Sequence, residues 1–352
     1  MTKNLHKYFE DLEKRINPEI EEVLFQQWRE FASGNYTGQI FKPERSRKSP
    51  PKIEWQQITI NEAIRDPEKM ILQQLGECSR ILEHGTGEIL SIRANYGTGI
   101  LPSLFGAEIF WMDDSAETLP TVRPFKDAKV TIRRLIDQGI PAIDHSFGGQ
   151  TLEMGERFME LKMRYPLIGK HVHIYHPDLQ SPMDVCELLW GSRLFLAVVD
   201  QPELVMNLLT LVTDRYIEFM KEWDEIVAAN NDGFAVHWYC LHRGHIMLRD
   251  DSAMNFSAEM YGEFIKPYNQ KLLNEFNGGA VHFCGTGDHF IDQLAEMDGI
   301  YAIDMRQPHL NDLEKIFSHT IHRGNQLVRF PQETARQLVA SGRNLHGNIH
   351  CW

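Results

Sequence analysis

Residues 257–283 read SAEMYGEFIKPYNQKLLNEFNGGAVHF, and the change of rhythm inside this stretch decides the fold. Ser257 is a good helix N-cap with Asp250 and Asp251 just upstream, and Ala258–Phe276 is amphipathic at helical spacing. Ala280–Phe283 is then a short apolar run with strand character. Working outward, the same alternation recurs. Strand-like runs stand at Ile89–Ala94, Ile140–Asp144, His171–Tyr175, Phe234–Tyr239, Ile300–Ile303, Gln326–Phe330 and Asn344–His350, with amphipathic stretches such as Pro202–Trp223 and Pro331–Ser341 between them. Each crossover needs a helix to return the chain, so the pairing is parallel. Eight such runs predict an α/β chain folded as a (β/α)8 barrel. An open doubly wound sheet is the alternative, but no G-x-G-x-x-G turn follows the first run.

Upstream, Leu5, Tyr8, Phe9, Leu12, Ile16, Ile20, Val23, Leu24 and Trp28 recur at helical steps across residues 5–32. Gly34–Pro51 is basic, Pro-bearing and aperiodic, which reads as a solvated linker or as a loop carrying Arg45, Arg47 and Lys48 toward an anionic ligand. The expected organisation is an N-terminal helical extension with a basic loop over residues 1–59, followed by a barrel over residues 60–352.

Composition narrows the partners. The 352 residues carry 49 acidic and 36 basic side chains, a net charge of −13 that repels phosphate backbones and argues against nucleic acid. Five scattered cysteines (Cys78, Cys186, Cys240, Cys284 and Cys351) do not resemble a secreted disulfide framework. Met1–Arg15 lacks the apolar run of a signal peptide, and no stretch approaches the roughly 18 to 20 apolar residues of a membrane span. The expectation is a cytoplasmic protein with reduced thiols and no membrane contact.

In a barrel of this kind chemistry collects where strands end. Those positions hold Arg93, Asn95 and Tyr96, then Asp144 and His145, then His176, Asp178 and Gln180. Next come His237, Tyr239, Cys240 and His242, followed by His282 and Cys284, Asp304 and Arg306, and finally Cys351. The sharpest pattern is His282-Phe283-Cys284. Two residues apart on an extended strand, imidazole and thiol project from the same face and form half of a zinc site. Cys351, ending a later strand, could supply a third ligand. Taken alone, the pair also reads as a small packed thiol beside a histidine.

Several ordered motifs carry a family resemblance. DSAMNFSAEMYGEFIKPYNQKLLNEF (Asp251–Phe276) leading into VHFCG (Val281–Gly285) resembles uroporphyrinogen decarboxylase-like proteins, where an acidic turn and a helix with F-x-x-P-Y precede H-x-C-G. DLQSPMDVCELLWG (Asp178–Gly191) is similar to the family's D-x-Q-G-P segment, with Ser181 in place of the glycine. YAIDM (Tyr301–Met305) resembles the strand bearing the family's aspartate, here Asp304. The resemblance spans roughly residues 60 to 352 and implies the barrel fold.

Two chemistries are implied. One branch, the cobamide-dependent methyltransferases, binds Zn2+ through a His-x-Cys pair and a distant cysteine, positions matched by His282, Cys284 and Cys351. Cobalamin-independent methionine synthase, similar in arrangement, adds a carboxylate, for which Asp304 is the candidate fourth ligand. On this reading zinc turns a thiol into a nucleophile toward a methyl group held on a corrinoid, supplied by a separate corrinoid protein or by free cobamide. His237 and Tyr239 would then act catalytically and His176 and His242 would orient the small-molecule substrate; internal hydrogen bonding explains such a cluster equally well. Family members often pair, implying a homodimer. The other branch is the decarboxylase, which needs no cofactor. There Arg93, Arg306 and His145, with Asn95 and the Arg45–Lys48 loop near the same mouth, would bind a polycarboxylate, and Asp144 would stabilise the protonated ring. The chain departs from that branch at ANYGTGILPSLFG (Ala94–Gly106), where the family's F-S-D-I aspartate motif is missing. A barrel that binds a small molecule without catalysis is the third reading.

Overall fold

The computed structural model of the chain describes residues 5–227 and 232–352. Its centre is a six-stranded parallel sheet ordered β1 (Ile40–Phe41), β12 (Ile349–Cys351), β11 (Gln326–Phe330), β10 (Ile300–Met305), β9 (Gly279–Phe283) and β8 (Ile246–Arg249). A further parallel pair joins β2 (Ser91–Ile92) to β5 (His173–Ile174). Two antiparallel hairpins complete the strands: β3 (Glu108–Phe110) with β4 (Thr121–Arg123), and β6 (Phe234–His237) with β7 (Cys240–Arg243). Single backbone hydrogen bonds link these units, from Ser181 N–H to the Arg249 carbonyl (3.0 Å) and from Ile89 N–H to the Tyr239 carbonyl (2.9 Å). The parallel α/β architecture is therefore as the alternating pattern predicts.

Three expectations need correction. Ile140–Asp144 forms no strand. Gly139, at φ +79°, ends the helix Ala128–Gln138, and Pro141 has no N–H to give a ladder, so the segment runs irregularly into the helix Ser146–Arg164. Phe234–Tyr239 is not a parallel strand but the first arm of a hairpin, and the parallel strand is the following run, β8. The hairpin turns through Trp238 and Tyr239, both with positive φ (44° and 67°), between the paired residues His237 and Cys240. Residues 5–32 form two helices, α1 (His6–Arg15) and α2 (Pro18–Ala32), because Asn17 caps the second, accepting from Glu19 and Ile20 N–H, and Pro18 cannot continue the first.

Strand alternation then sorts the sheet into two faces. Val281, Phe283, Ile303, Met305, Leu327, Ile349 and Cys351 belong to the large core beneath the helices. Met247, Ala280, Ala302 and Val328 face a smaller core with Trp28, Phe31 and Phe41, into which the hairpin inserts Val236, Cys240 and Leu241. The strands approach so closely that a Cβ on Gly279 would lie 1.8 Å from the Ile246 carbonyl oxygen.

The basic loop serves this packing. Arg45 is buried, with Nε and Nη2 on the two carboxylate oxygens of Glu21 (2.8 and 2.7 Å) and Nη1 on the Thr86 and Glu88 carbonyls. It ties α2 to the turn before β2 and is not directed at a ligand. Removing one member of a buried pair strands the other charge, so Arg45→Ala should destabilise the protein by about 3–5 kcal/mol in chemical denaturation. A loss below about 1 kcal/mol, the range of an exposed pair, would contradict the burial described.

Candidate metal centre

His282 is the penultimate residue of β9, and its neighbours in register determine what that imidazole meets. Asp304 on β10 is its Cα partner, and Asp304 Oδ2 lies 2.7 Å from His282 Nδ1. Asp304 is fully buried and also receives Arg329, through Nε at 3.1 Å and through Nη2. Burial pushes the Asp304 carboxyl up, but the His282 hydrogen bond and the Arg329 charge outweigh it and hold it below the usual carboxylate range. The carboxylate therefore accepts the hydrogen bond of His282 Nδ1–H and aims Nε2 outward.

Outward lie two more donor atoms. Asp251 Oδ1 is 3.4 Å from His282 Nε2, and Cys284 Sγ is 3.5 Å from it. Asp251, His282 and Cys284 place their ligand atoms within 4.8 Å of one another, and they are the one such trio among the described residues. A tetrahedral zinc with bonds of about 2.0–2.3 Å separates its ligands by roughly 3.3–3.8 Å, so the two measured spacings fit. Asp251 Oδ1 is moreover a buried carboxylate oxygen turned toward the His282 ring, a placement that suits a shared cation. Without one, burial opposes charging His282, yet hydrogen bonds to Asp251, Asp304 and Cys284 raise its pKa well above the ordinary value. Asp251 is held by its own backbone: Asp251 and Ser252 N–H donate to the buried Asp184 carboxylate at 2.9 and 2.7 Å.

The distant cysteine is not part of this group. Cys351 packs in the core on the opposite side of the sheet, and burial raises its thiol to about 12 against the opposing pull of Lys42 and Arg336. Its neighbour His350 faces inward instead, beside Trp28 and 3.1 Å from Arg329 N–H. Alternation of side chains along β12 is the reason: only one of two successive residues can face the centre. Asp304 likewise stands behind the imidazole and not beside the thiol, so it orients a ligand where a fourth ligand was expected.

The other expected residues divide. Arg93, Asn95 and Tyr239 line one wall of a cavity of about 900 Å3, with Tyr175 and Trp238; helix Pro67–His84 and the segment 51–60 form the opposite wall. Trp238 joins this cavity to the centre. Its ring lies 5.0 Å from that of His282, edge on, and the guanidinium carbons of Arg249 and Arg329 lie 4.9 and 4.3 Å over it. Arg306 lies over the Trp352 ring at 4.5 Å. His176, His237 and His242 form an internal cluster, His176 packed edge-on against His237. His242 Nδ1 donates to the Arg243 carbonyl, so its Nε2 accepts from His237 Nδ1 (both 2.7 Å), and His176 Nε2 accepts from Met247 N–H at 2.9 Å. Burial lowers all three imidazoles, His242 to about 4, and they are neutral. Asp144 and His145 are exposed on the surface where a helix begins, away from any strand end.

Asp251, Arg249, Arg329 and Trp238 were not among the expected site residues. The run IMLRDD over residues 246–251 carries a strand and an acidic strand end, a signal that the preceding hairpin arm obscured. Arg329 had no such signal: it turns inward at a register shift in β11, with φ +56°.

No family model matches the chain, and no curated protein matches its sequence. Among solved structures it is similar to a methyltransferase from Methanosarcina mazei, with a TM-score of 0.59 at 17% identity, over 83% of this chain and 81% of that one. At that identity the likeness is one of fold.

Because Asp304 fixes the imidazole from behind, Asp304→Asn should weaken zinc affinity about 10- to 100-fold, measured by competition with a chromophoric chelator. Cys351→Ser should leave that affinity unchanged. Equal losses in Cys351→Ser and Cys284→Ser would mean that the last strand presents the other face.

Proposed function

We propose that the chain is a zinc-dependent methyltransferase on a barrel scaffold, passing a methyl group between a corrinoid and a thiol. The observation that carries this reading is the convergence of Asp251, His282 and Cys284 at the end of the parallel strands, with Asp304 behind the imidazole. The fold shared with a solved methyltransferase supports it. Three protein ligands are the number that leaves a coordination position for a substrate. Zinc held there would keep a substrate thiol ionised at neutral pH.

The chain's own residues do the rest. Asp304 and Arg329 keep the His282 tautomer, and Asp184 holds the turn that brings Asp251 into place. Trp238 covers one side of the imidazole and limits the approach of water. Substrate reaches this group from the solvent side of the strand ends, where Asp251 and Cys284 are half-buried. The methyl carrier is a corrinoid on a partner protein or free cobamide, as the motif resemblance implies. Decarboxylation is the weaker reading, because Asp144 and His145, its acid and anion-binding residues, are on the surface.

The purified protein should bind close to one zinc per chain and transfer methyl from methylcobalamin to 2-mercaptoethanol. Cys284→Ser and His282→Ala should each reduce that rate by more than about 100-fold, beyond the loss of an outer partner. Zinc must displace the proton that Asp251 and Asp304 stabilise on His282. Affinity should therefore rise with pH through neutrality, because the imidazole's raised pKa keeps it charged to higher pH than usual. Zinc-free protein that converts uroporphyrinogen would overturn this reading in favour of the decarboxylase.

A further inference from the structure

The 900 Å3 cavity on the far side of Trp238 has a chemistry of its own. Arg93 on its deep wall, with Arg249 buried behind, carries an unbalanced positive charge. Arg93 and Arg249 share one carboxylate, Asp178, with Arg93 Nη1 at 3.5 Å and Arg249 Nε at 2.9 Å, and Gln180 takes part of the same acceptor at 2.5 Å. Arg249 is fully buried, and its Nη2 has no partner. The remaining guanidinium N–H groups of Arg93 have no protein partner among the described residues and stay accessible on the cavity wall. Two buried guanidiniums against one carboxylate leave a charge that protein groups do not answer.

Hydroxyl donors stand beside it. Tyr175 is only 5% exposed, and neither its hydroxyl nor that of Tyr239 has a hydrogen-bond partner among the described residues. Arg93 and both phenols lie close enough to act on one another electrostatically, with the Arg93 carbon 6.0 Å over the Tyr175 ring. Burial raises both phenols, so each remains a donor at neutral pH. The walls above are aromatic, formed by Trp55 and Trp238.

We propose that this deep wall binds the carboxylate of an aromatic organic acid, with Arg93, Tyr175 and Tyr239 holding the carboxylate and Trp55 and Trp238 flanking the ring. Unpaired donors, excess positive charge and flat apolar walls in one cavity are what such a ligand complements. Half-buried Glu77 on the same lining is paired with Arg80 at 2.9 Å, and exposed Glu54, Glu83 and Glu117 at the rim carry the opposite sign. They are solvated, so screening weakens their reach, whereas the deep guanidiniums act in a low dielectric. This site stands on its own observations and does not need the zinc reading.

Benzoate is the test ligand, titrated into the full-length protein with tryptophan fluorescence and saturation-transfer NMR as readouts. Neutral benzamide and cationic benzyltrimethylammonium serve as controls of similar shape. Benzoate should saturate the site at least about tenfold more tightly than benzamide, the scale of a hydrogen bond to a charged group. Arg93→Gln should abolish that preference while leaving benzamide binding unchanged. Arg93→Lys should restore part of it, and Tyr175→Phe should weaken benzoate alone. Cys284→Ser should bind benzoate like the wild type, which separates this site from the zinc site. Equal binding of benzoate and benzamide by the wild type would overturn the proposal, even if every variant failed to fold. So would an unchanged preference in folded Arg93→Gln, or tighter binding of the organic cation, which would hand the cavity to its acidic rim.

Discussion

Asp304 has no contact with solvent, and a carboxylate so placed keeps its charge only if the protein supplies what water would have given it. Here His282 and Arg329 supply it, one from the adjacent strand and one from a register shift in the next. The arrangement is rigid because the parallel ladder fixes it: Asp304 and His282 are Cα partners across β10 and β9. With Nδ1 committed to Asp304, the other ring nitrogen has one direction open, and Asp251 and Cys284 lie there. A buried charge thus selects a tautomer, and the tautomer selects the site. The same group would cost several kcal/mol if any of its partners were lost, which binds the stability of the sheet end to the integrity of the centre.

The β6–β7 hairpin is the second organising element. Bulky residues rarely adopt positive φ, and each costs about 1–2 kcal/mol there, yet Trp238 and Tyr239 do so in succession. An Asn-Gly pair would make the same turn without that cost. Trp238 and Tyr239 instead project side chains into a particular place: Trp238 against His282 and two guanidiniums, Tyr239 onto the cavity wall. Backbone strain is retained where side-chain placement is worth more than turn stability. The burial of Val236, Cys240 and Leu241 against the sheet is what holds the strained turn in position.

The alternation of helical and strand-like runs made the parallel α/β architecture readable, since helical crossovers leave no other pairing. His282 and Cys284 were readable as a pair for an equally local reason, the two-residue period of a strand. Their acidic companion was not. Asp251 follows β8, a strand concealed by the hairpin arm before it, because Phe234–His237 and Ile246–Arg249 are alike in composition. Pro141 contained the warning against a strand at 140–144, and Asn17–Pro18 the break between α1 and α2. Arg45 showed only its charge; that it faces Glu21 depends on how α2 folds back over the turn at residue 86.

By itself, then, the amino-acid order determined the periodicities: the helix–strand alternation, which near neighbours share a face, and the His282–Cys284 pair. Tertiary structure alone decided which face each strand turns toward the centre. Cys351 and His350 are adjacent in the chain, and nothing local distinguishes which of them looks inward; pairing of Ile349 with Leu327 settles it, and the thiol goes to the outer core. Long-range register carries that information because a ladder of hydrogen bonds fixes orientation between strands that the chain itself leaves independent.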